Sequence, residues 1–323
     1  MSSRIKIFLS ILVLLLIAIL FFNYIAGHWH EFKQLKLVSP FGIAAIWLMF
    51  AADLFVDGLV IKFLLAPFGI KLNNKEAFSI STATRFYNFI MPLRGGIFMR
   101  AVYLKKQHKF PYTDFLSALS SSYIIIFLIS SFAGALSMIL IWLYYKIFNM
   151  LVFLLFFGAF IALLLIANFS PRLPKLKNKW LNRFVDVING WHLIKSNRKA
   201  ILTITLMSLC QLIVSSIALL VTYGVFGIEI GFAKTVFITS ISHLSTLVAL
   251  TPGNLGVGEA INVFSASLVG ISPVGAIAAV LFGRLVNAVM LLVIGPIFSY
   301  MLMKDAKKNE TKNQTKNKAD ISK

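Results

Sequence analysis

Six ionisable residues lie within otherwise apolar stretches of the chain: Asp53, Arg85, Arg94, Arg100, Glu259 and Arg284. Their types suit the holding of an anion. An arginine presents a planar fork of donors that matches phosphate oxygens, and a helix N-terminus favours negative charge. Glu259 stands near the end of "TPGNLGVGEA" (251–260), where one proline and three glycines interrupt apolar sequence on both sides. Two roles are open to it: neutralising Arg284 when no ligand is present, or taking the cationic part of a headgroup. The alternative is a buried Glu–Arg pair that only fixes helix packing. Asp53 and Asp57 are spaced i,i+4 and so share one helix face. Carboxylates at membrane depth are costly and tend to face a cavity or a cation. The other reading puts this helix shallow, with Asp57 and Lys62 near water.

Other chemistries lack their residues. The sequence has no G-x-x-x-x-G-K-[ST] motif for a nucleoside triphosphate. It has no acidic D-D pair and no H-x-E-type cluster in a loop, as a lipid-phosphate transferase would need. The expectation is therefore of a protein without catalytic residues, metal or cofactor, and not an enzyme. His28 and His30 flank Trp29 and are read as interfacial residues at headgroup level rather than metal ligands. The single cysteine, Cys210, lies in an apolar run and is read as a small buried hydrophobe.

The elements that must position these groups are membrane helices. Of 323 residues, 59% are hydrophobic and 13% charged, against roughly half and a quarter in a soluble domain. Several apolar runs exceed the roughly 18–20 residues that cross a bilayer. The net charge of +20 is carried in loops and in the tail. That pattern fits orientation by positive cytoplasmic loops, with anionic phospholipid headgroups as partners. No basic stripe with interleaved aromatics occurs outside the apolar runs, so nucleic acid is not an expected partner.

Full spans are expected at about 7–26, 41–65, 116–144, 147–169, 201–226 and 274–303, six in all. The first is too long for a signal-peptide core and is read as retained. The basic segment 170–199 carries apolar Leu181, Phe184, Val185 and Ile188, spaced either for a short helix on the membrane surface or for a solvated loop. The lysine-rich tail, 304–323, is expected to be disordered and cytoplasmic.

Two regions fit neither pattern. Residues 77–115 and 234–270 each place a short Ser/Thr-bearing helix before a proline–glycine break, then another short helix. Pro92 aligns with Pro252 and Gly96 with Gly256, while Pro111 falls near Pro273 and Gly134 near Gly295. Gly95, Gly96 and Pro92 in the first break, and Pro252, Gly253 and Gly256 in the second, are read as hairpin tips. Proline removes a helical donor, and glycine adopts dihedrals a helix does not use. If both regions are re-entrant, basic residues gather on the N-terminal side and only Lys33, Lys36, Lys146 and Lys234 lie opposite. If the first hairpin crossed instead, the basic segment 170–199 would face outward, against the positive-inside rule. The fold expected is an all-α polytopic membrane protein: six spans and two re-entrant hairpins in an inverted repeat, with halves at about 40–169 and 200–303. Both termini would then be cytoplasmic. Broken helices at membrane depth are tolerated where protein or a water-filled cavity satisfies the freed backbone.

"MPLRGGIFMRAVYL" together with "TPGNLGVGEA…VLFGRLVNAVMLLVIGP" resembles the lysylphosphatidylglycerol synthase transmembrane region, a flippase-like family, over about 37–300. By position, the resemblance points to Pro92, Arg94, Gly96, Arg100, Pro252, Gly253, Gly256, Glu259 and Arg284. Members often have an acidic residue directly after the second motif glycine of the first half; here that position is Ile97. Bifunctional members add a soluble aminoacyl-transferase domain, and none is expected here. The resemblance implies translocation of a lipid or polyprenyl-linked glycan across the cell (inner or plasma) membrane, often beside a membrane glycosyltransferase. Two further readings are a non-transporting partner of such a glycosyltransferase and a lipid-phosphate transferase.

Overall fold

The computed structural model describes residues 22–34, 41–91, 94–169, 194–246 and 251–321, together with 19, 174, 185, 189, 191 and 192. The described elements are helical throughout. In chain order they are α1 (Trp29–Gln34), α2 (Phe41–Leu65), α3 (Asn74–Ile90), α4 (Gly95–His108), α5 (Tyr112–Tyr145), α6 (Met150–Phe169), α7 (Arg198–Gly224), α8 (Phe232–Ser245), α9 (Val257–Leu268) and α10 (Pro273–Ile321). Five of them, α2, α5, α6, α7 and α10, are long and apolar enough to cross a membrane. Most of the expected first span, 7–26, lies outside the described residues, as do Pro92, Leu181, Phe184 and Ile188. Val185 is described and is buried.

Local chemistry sets the helix ends. Asn73 caps α3 by accepting from the Glu76 N–H at 2.8 Å, and Asn197 caps α7 through the Ala200 N–H at 3.0 Å. Lys109 and Lys146 stop α4 and α5 in the left-handed conformation. At the C-terminus the backbone of 304–321 continues α10. A formed helix extends at little cost into residues with good helix propensity, and Lys, Glu, Gln and Ala are of that kind.

The packing of the two broken regions is reciprocal. In the first half, α2 packs on α3, α3 on α4 and α4 on α5. In the second half, α7, α8, α9 and α10 make the same series of contacts. The halves then interlock: α3 packs on α10, α8 packs on α5, and α2 runs along α7. Exchanging one half for the other leaves this scheme unchanged. Trp47 of α2 adds a tie across the halves, donating to the Val286 carbonyl of α10 at 2.9 Å. Helix α6 stands outside the scheme; it packs on α5 and buries only Phe156. Its remaining apolar surface is what a helix facing lipid tails presents.

The core is divided along the length of the bundle. One cluster gathers Val60, Ile61, Leu64, Ile80, Leu104, Phe115, Ile129, Ile204 and Leu212. A second gathers Met138, Ile141, Phe156, Tyr223, Phe237, Ile238 and Ala276, and smaller clusters form around Ile46 and around Leu54. Helix α5 contributes to both, and between its two contributions lie buried Ser130 and Ser131. Helix α7 does the same, with Ser215 and Ser216 in between. A polar layer therefore separates two apolar ones.

Close backbone approach holds the first break. A Cβ on Gly96 would lie 1.9 Å from the Thr84 carbonyl oxygen, a backbone atom with no freedom to swing away. Gly96→Ala is expected to lower stability by about 1–3 kcal/mol through overpacking. Gly158→Ala, where nothing lies within 4 Å, should be neutral or slightly stabilising; thermal unfolding of the two variants in detergent compares them directly.

A second test concerns the end of α3 far from the polar layer. There the half-buried Glu76 carboxylate accepts from Tyr103 Oη at 2.8 Å and contacts His108 Nε2 at 2.7 Å. Burial pushes this carboxyl up, but the hydrogen bonds from His108 and Tyr103 and the His108 charge together outweigh burial and hold it below its ordinary value. The folded form is thus stabilised above the ordinary carboxylate range, and that stability is lost as pH falls through the lowered value. Thermal unfolding between about pH 3 and 6 should show this loss in the native chain and a flatter response in Glu76→Gln.

Candidate functional site

The polar layer is centred on an ion pair. Asp53 of α2 accepts from Arg85 Nη2 of α3 at 2.5 Å and from Ser215 Oγ of α7 at 2.9 Å. The pair thus ties three helices across both halves. Asp57, one turn further along α2, accepts from Ser81 Oγ at 2.7 Å. His243 of α8 stands nearby, its Nδ1 3.1 Å from Ser130 Oγ of α5. A carboxylate this buried, 6% exposed, is tolerable because its charge is matched and its oxygens accept hydrogen bonds.

Two cavities adjoin this group. Asp53, Arg85, Ser215, His243 and Thr246 line both. On α2, one cavity is lined by Ile46, Phe50 and Asp53 and the other by Asp53, Asp57, Val60, Ile61 and Leu64. The two therefore lie on opposite sides of Asp53 along the helix.

The first cavity, about 360 Å³, holds Arg94, Arg100, Asn88, Tyr123 and Gln211. Arg94 precedes α4 in the left-handed conformation, φ 58°, and hydrogen-bonds Tyr123 Oη. The Gly96 N–H in the first turn of α4 donates to Asn88 Oδ1 at 2.9 Å. Arg100 lies over the Phe115 ring at 5.6 Å, and its Nε has no protein partner. Neither Arg94 nor Arg100 makes an ion pair with a carboxylate among the described residues. Ile97 also lines this cavity.

The second cavity, about 480 Å³, is built differently. Glu259, 5% exposed, folds back on its own helix: Oε2 accepts the Gly256 N–H at 2.6 Å and caps α9. Its Oε1 pairs with Arg284 Nη1 at 2.8 Å. The negative charge that a bare helix N-terminus would attract is already supplied within the chain. Arg284 also lies over the Phe89 ring of α3 at 5.3 Å, and its Nε and Nη2 have no protein partner. Gly253 makes room for this arginine: a Cβ there would come within 2.7 Å of Nη2, and its φ is 57°.

The structure brings all six residues singled out from sequence, Asp53, Arg85, Arg94, Arg100, Glu259 and Arg284, to the walls of these two cavities. Gly95, Gly96, Pro252, Gly253 and Gly256 fall at the two breaks between short helices. Sequence reasoning passed over His243 as a site residue, and with it Ser215, Tyr123 and Asn88. His243 had a signal. "TSISHL" (239–244) follows the pattern of "STATRF" (81–86), which sets His243 opposite Arg85. Arg85 stands seven residues before Pro92 and His243 nine before Pro252, and this slip hides the match.

Reciprocal halves, broken helices and charged groups enclosed between apolar layers define an all-α polytopic membrane protein with a divided polar interior. The chain belongs to the lysylphosphatidylglycerol synthase TM region family, whose sequence profile matches residues 5–295. That family is one of membrane proteins related to lipid handling. Neither a curated protein nor a solved structure matches the chain.

The Glu259–Arg284 pair generates a double-variant test. Glu259→Gln leaves the partly buried Arg284 without its counter-charge and should lower stability by about 1–3 kcal/mol. Glu259→Gln combined with Arg284→Met should recover part of that loss, since neither charge is then left alone. Unfolding of the four proteins of the cycle in detergent measures the coupling.

Proposed function

We propose that this protein translocates an anionic lipid or lipid-linked glycan across the cell membrane, its arginines holding the phosphate of the headgroup. One observation carries the reading. Arg284 is neutralised within the chain by Glu259, whereas Arg94 and Arg100 share a cavity and neither is ion-paired to a carboxylate among the described residues. Two guanidinium groups beside the first turn of α4 supply charge-assisted donors that phosphate oxygens complete.

The positive-inside rule orients the rest. With the basic segment 170–199 and both termini in the cytoplasm, α2 runs from outside to inside, so the cavity of Arg94 and Arg100 lies on the cytoplasmic side of Asp53. Both broken regions are then re-entrant hairpins, dipping in from opposite faces to form an inverted repeat. The headgroup passes the Asp53–Arg85 partition while its acyl or prenyl tails stay in the bilayer.

The test is the lipid that accompanies the protein. Mass spectrometry of purified protein should find anionic phospholipid or a polyprenyl phosphate conjugate enriched over the bulk membrane. In Arg94→Asn with Arg100→Gln, where asparagine tolerates the left-handed backbone, that lipid should fall by about tenfold or more, since each charged hydrogen bond contributes roughly 1.5–3 kcal/mol. An unchanged complement in the double variant, or only uncharged lipid in the native chain, overturns the reading.

A further inference from the structure

We infer that His243 is a proton-binding site whose occupancy is linked to that of the anion cavity, so that one proton accompanies one anion. This rests on the proposal that Arg94 and Arg100 bind an anion. Three observations on the molecule lead to it.

The first is position. His243 lines both cavities, so a proton taken from the water of one side can leave to the other. Its Nδ1 is engaged by Ser130 Oγ, and its Nε2 has no protein partner among the described residues. The second is the exchange of the halves. His243 occupies in α8 the place that Arg85 occupies in α3. One half has a fixed charge at this station, and the other has the side chain whose charge changes near neutral pH. The third is what surrounds it. Asp53, the carboxylate at the partition, is already paired with Arg85 and hydrogen-bonded by Ser215.

The ionisable groups that share the cavities with His243 come from every element around it. Asp53 and Asp57 lie on α2, and Arg85 on α3. Arg94 precedes α4 and Arg100 lies on it, while Tyr123 lies on α5. Glu259 comes from α9 and Arg284 from α10, and α7 lines the cavities with no charged side chain. Four guanidinium groups face three carboxylates, an excess of one positive charge while the imidazole is neutral. Protonation makes the excess two, which an anion relieves. Anion binding thus favours the imidazolium, and the imidazolium in turn tightens anion binding, as reciprocal linkage requires. The proton moves from cavity water to Nε2 when the anion binds and returns to water when it leaves; nothing else is consumed.

The experiment uses the full chain in detergent with dihexanoyl phosphatidylglycerol as the probe. Calorimetric titrations at about pH 5.5 and 7.5, each in two buffers of different ionisation enthalpy, read affinity and proton uptake together. Binding should be roughly tenfold tighter at the lower pH, within the usual range of coupling between sites, with up to one proton taken up per lipid. In His243→Gln the affinity ratio between the two pH values should collapse towards one, and proton uptake should vanish. Binding by the native chain that is independent of pH and takes up no proton overturns the proton site while the anion reading stands. A pH response that persists in His243→Gln overturns it equally. No binding at either pH overturns both. The native measurement does not depend on any variant folding.

Discussion

An ionised group in the middle of an apolar bundle is tolerable only where the protein supplies its counter-charge and hydrogen bonds. Asp53 sits under that constraint, and Arg85 and Ser215 meet it from two other helices. The consequences spread outward. Helices α2, α3 and α7 are fixed against one another at mid-length, and the apolar core is split into a cluster on either side. The cavities are the space left beside the pair. Neither would have this shape if the layer were filled with leucine.

Glycine and proline allow the backbone to serve that layer. Helices α3 and α8 end at the breaks, and residues near those ends and in α4 and α9 line the cavities. The two breaks are finished differently. At α9 the chain's own Glu259 occupies the N-terminus. At α4 an N–H in the first turn meets the neutral Asn88 amide, and the arginines beside it make no ion pair among the described residues. The related breaks thus differ in whether a carboxylate of the chain caps the helix that follows.

Much of this was legible in the chain. Long apolar runs identify spans because a bilayer demands length, and α2, α5, α6 and α7 fall close to the expected ranges. Charged residues in apolar surroundings identify the site because their burial is costly, which is why Glu259 and Arg284 could be paired before any coordinates. His243 escaped because a lone imidazole among serines and leucines carries no such penalty in its neutral form. Its relation to Arg85 is concealed by a two-residue slip against the prolines. The split between two cavities has no sequence signal at all, since it depends on where side chains from eight helices meet.

Arg284 touches both halves at once. It is salt-bridged to Glu259 in its own half and rests on Phe89 at the end of α3 in the other, with Gly253 pressed close beside them. A displacement of α10 large enough to open the pair would also drag on that aromatic ring. The half that lacks this arginine therefore still feels where it sits, through a single aromatic ring.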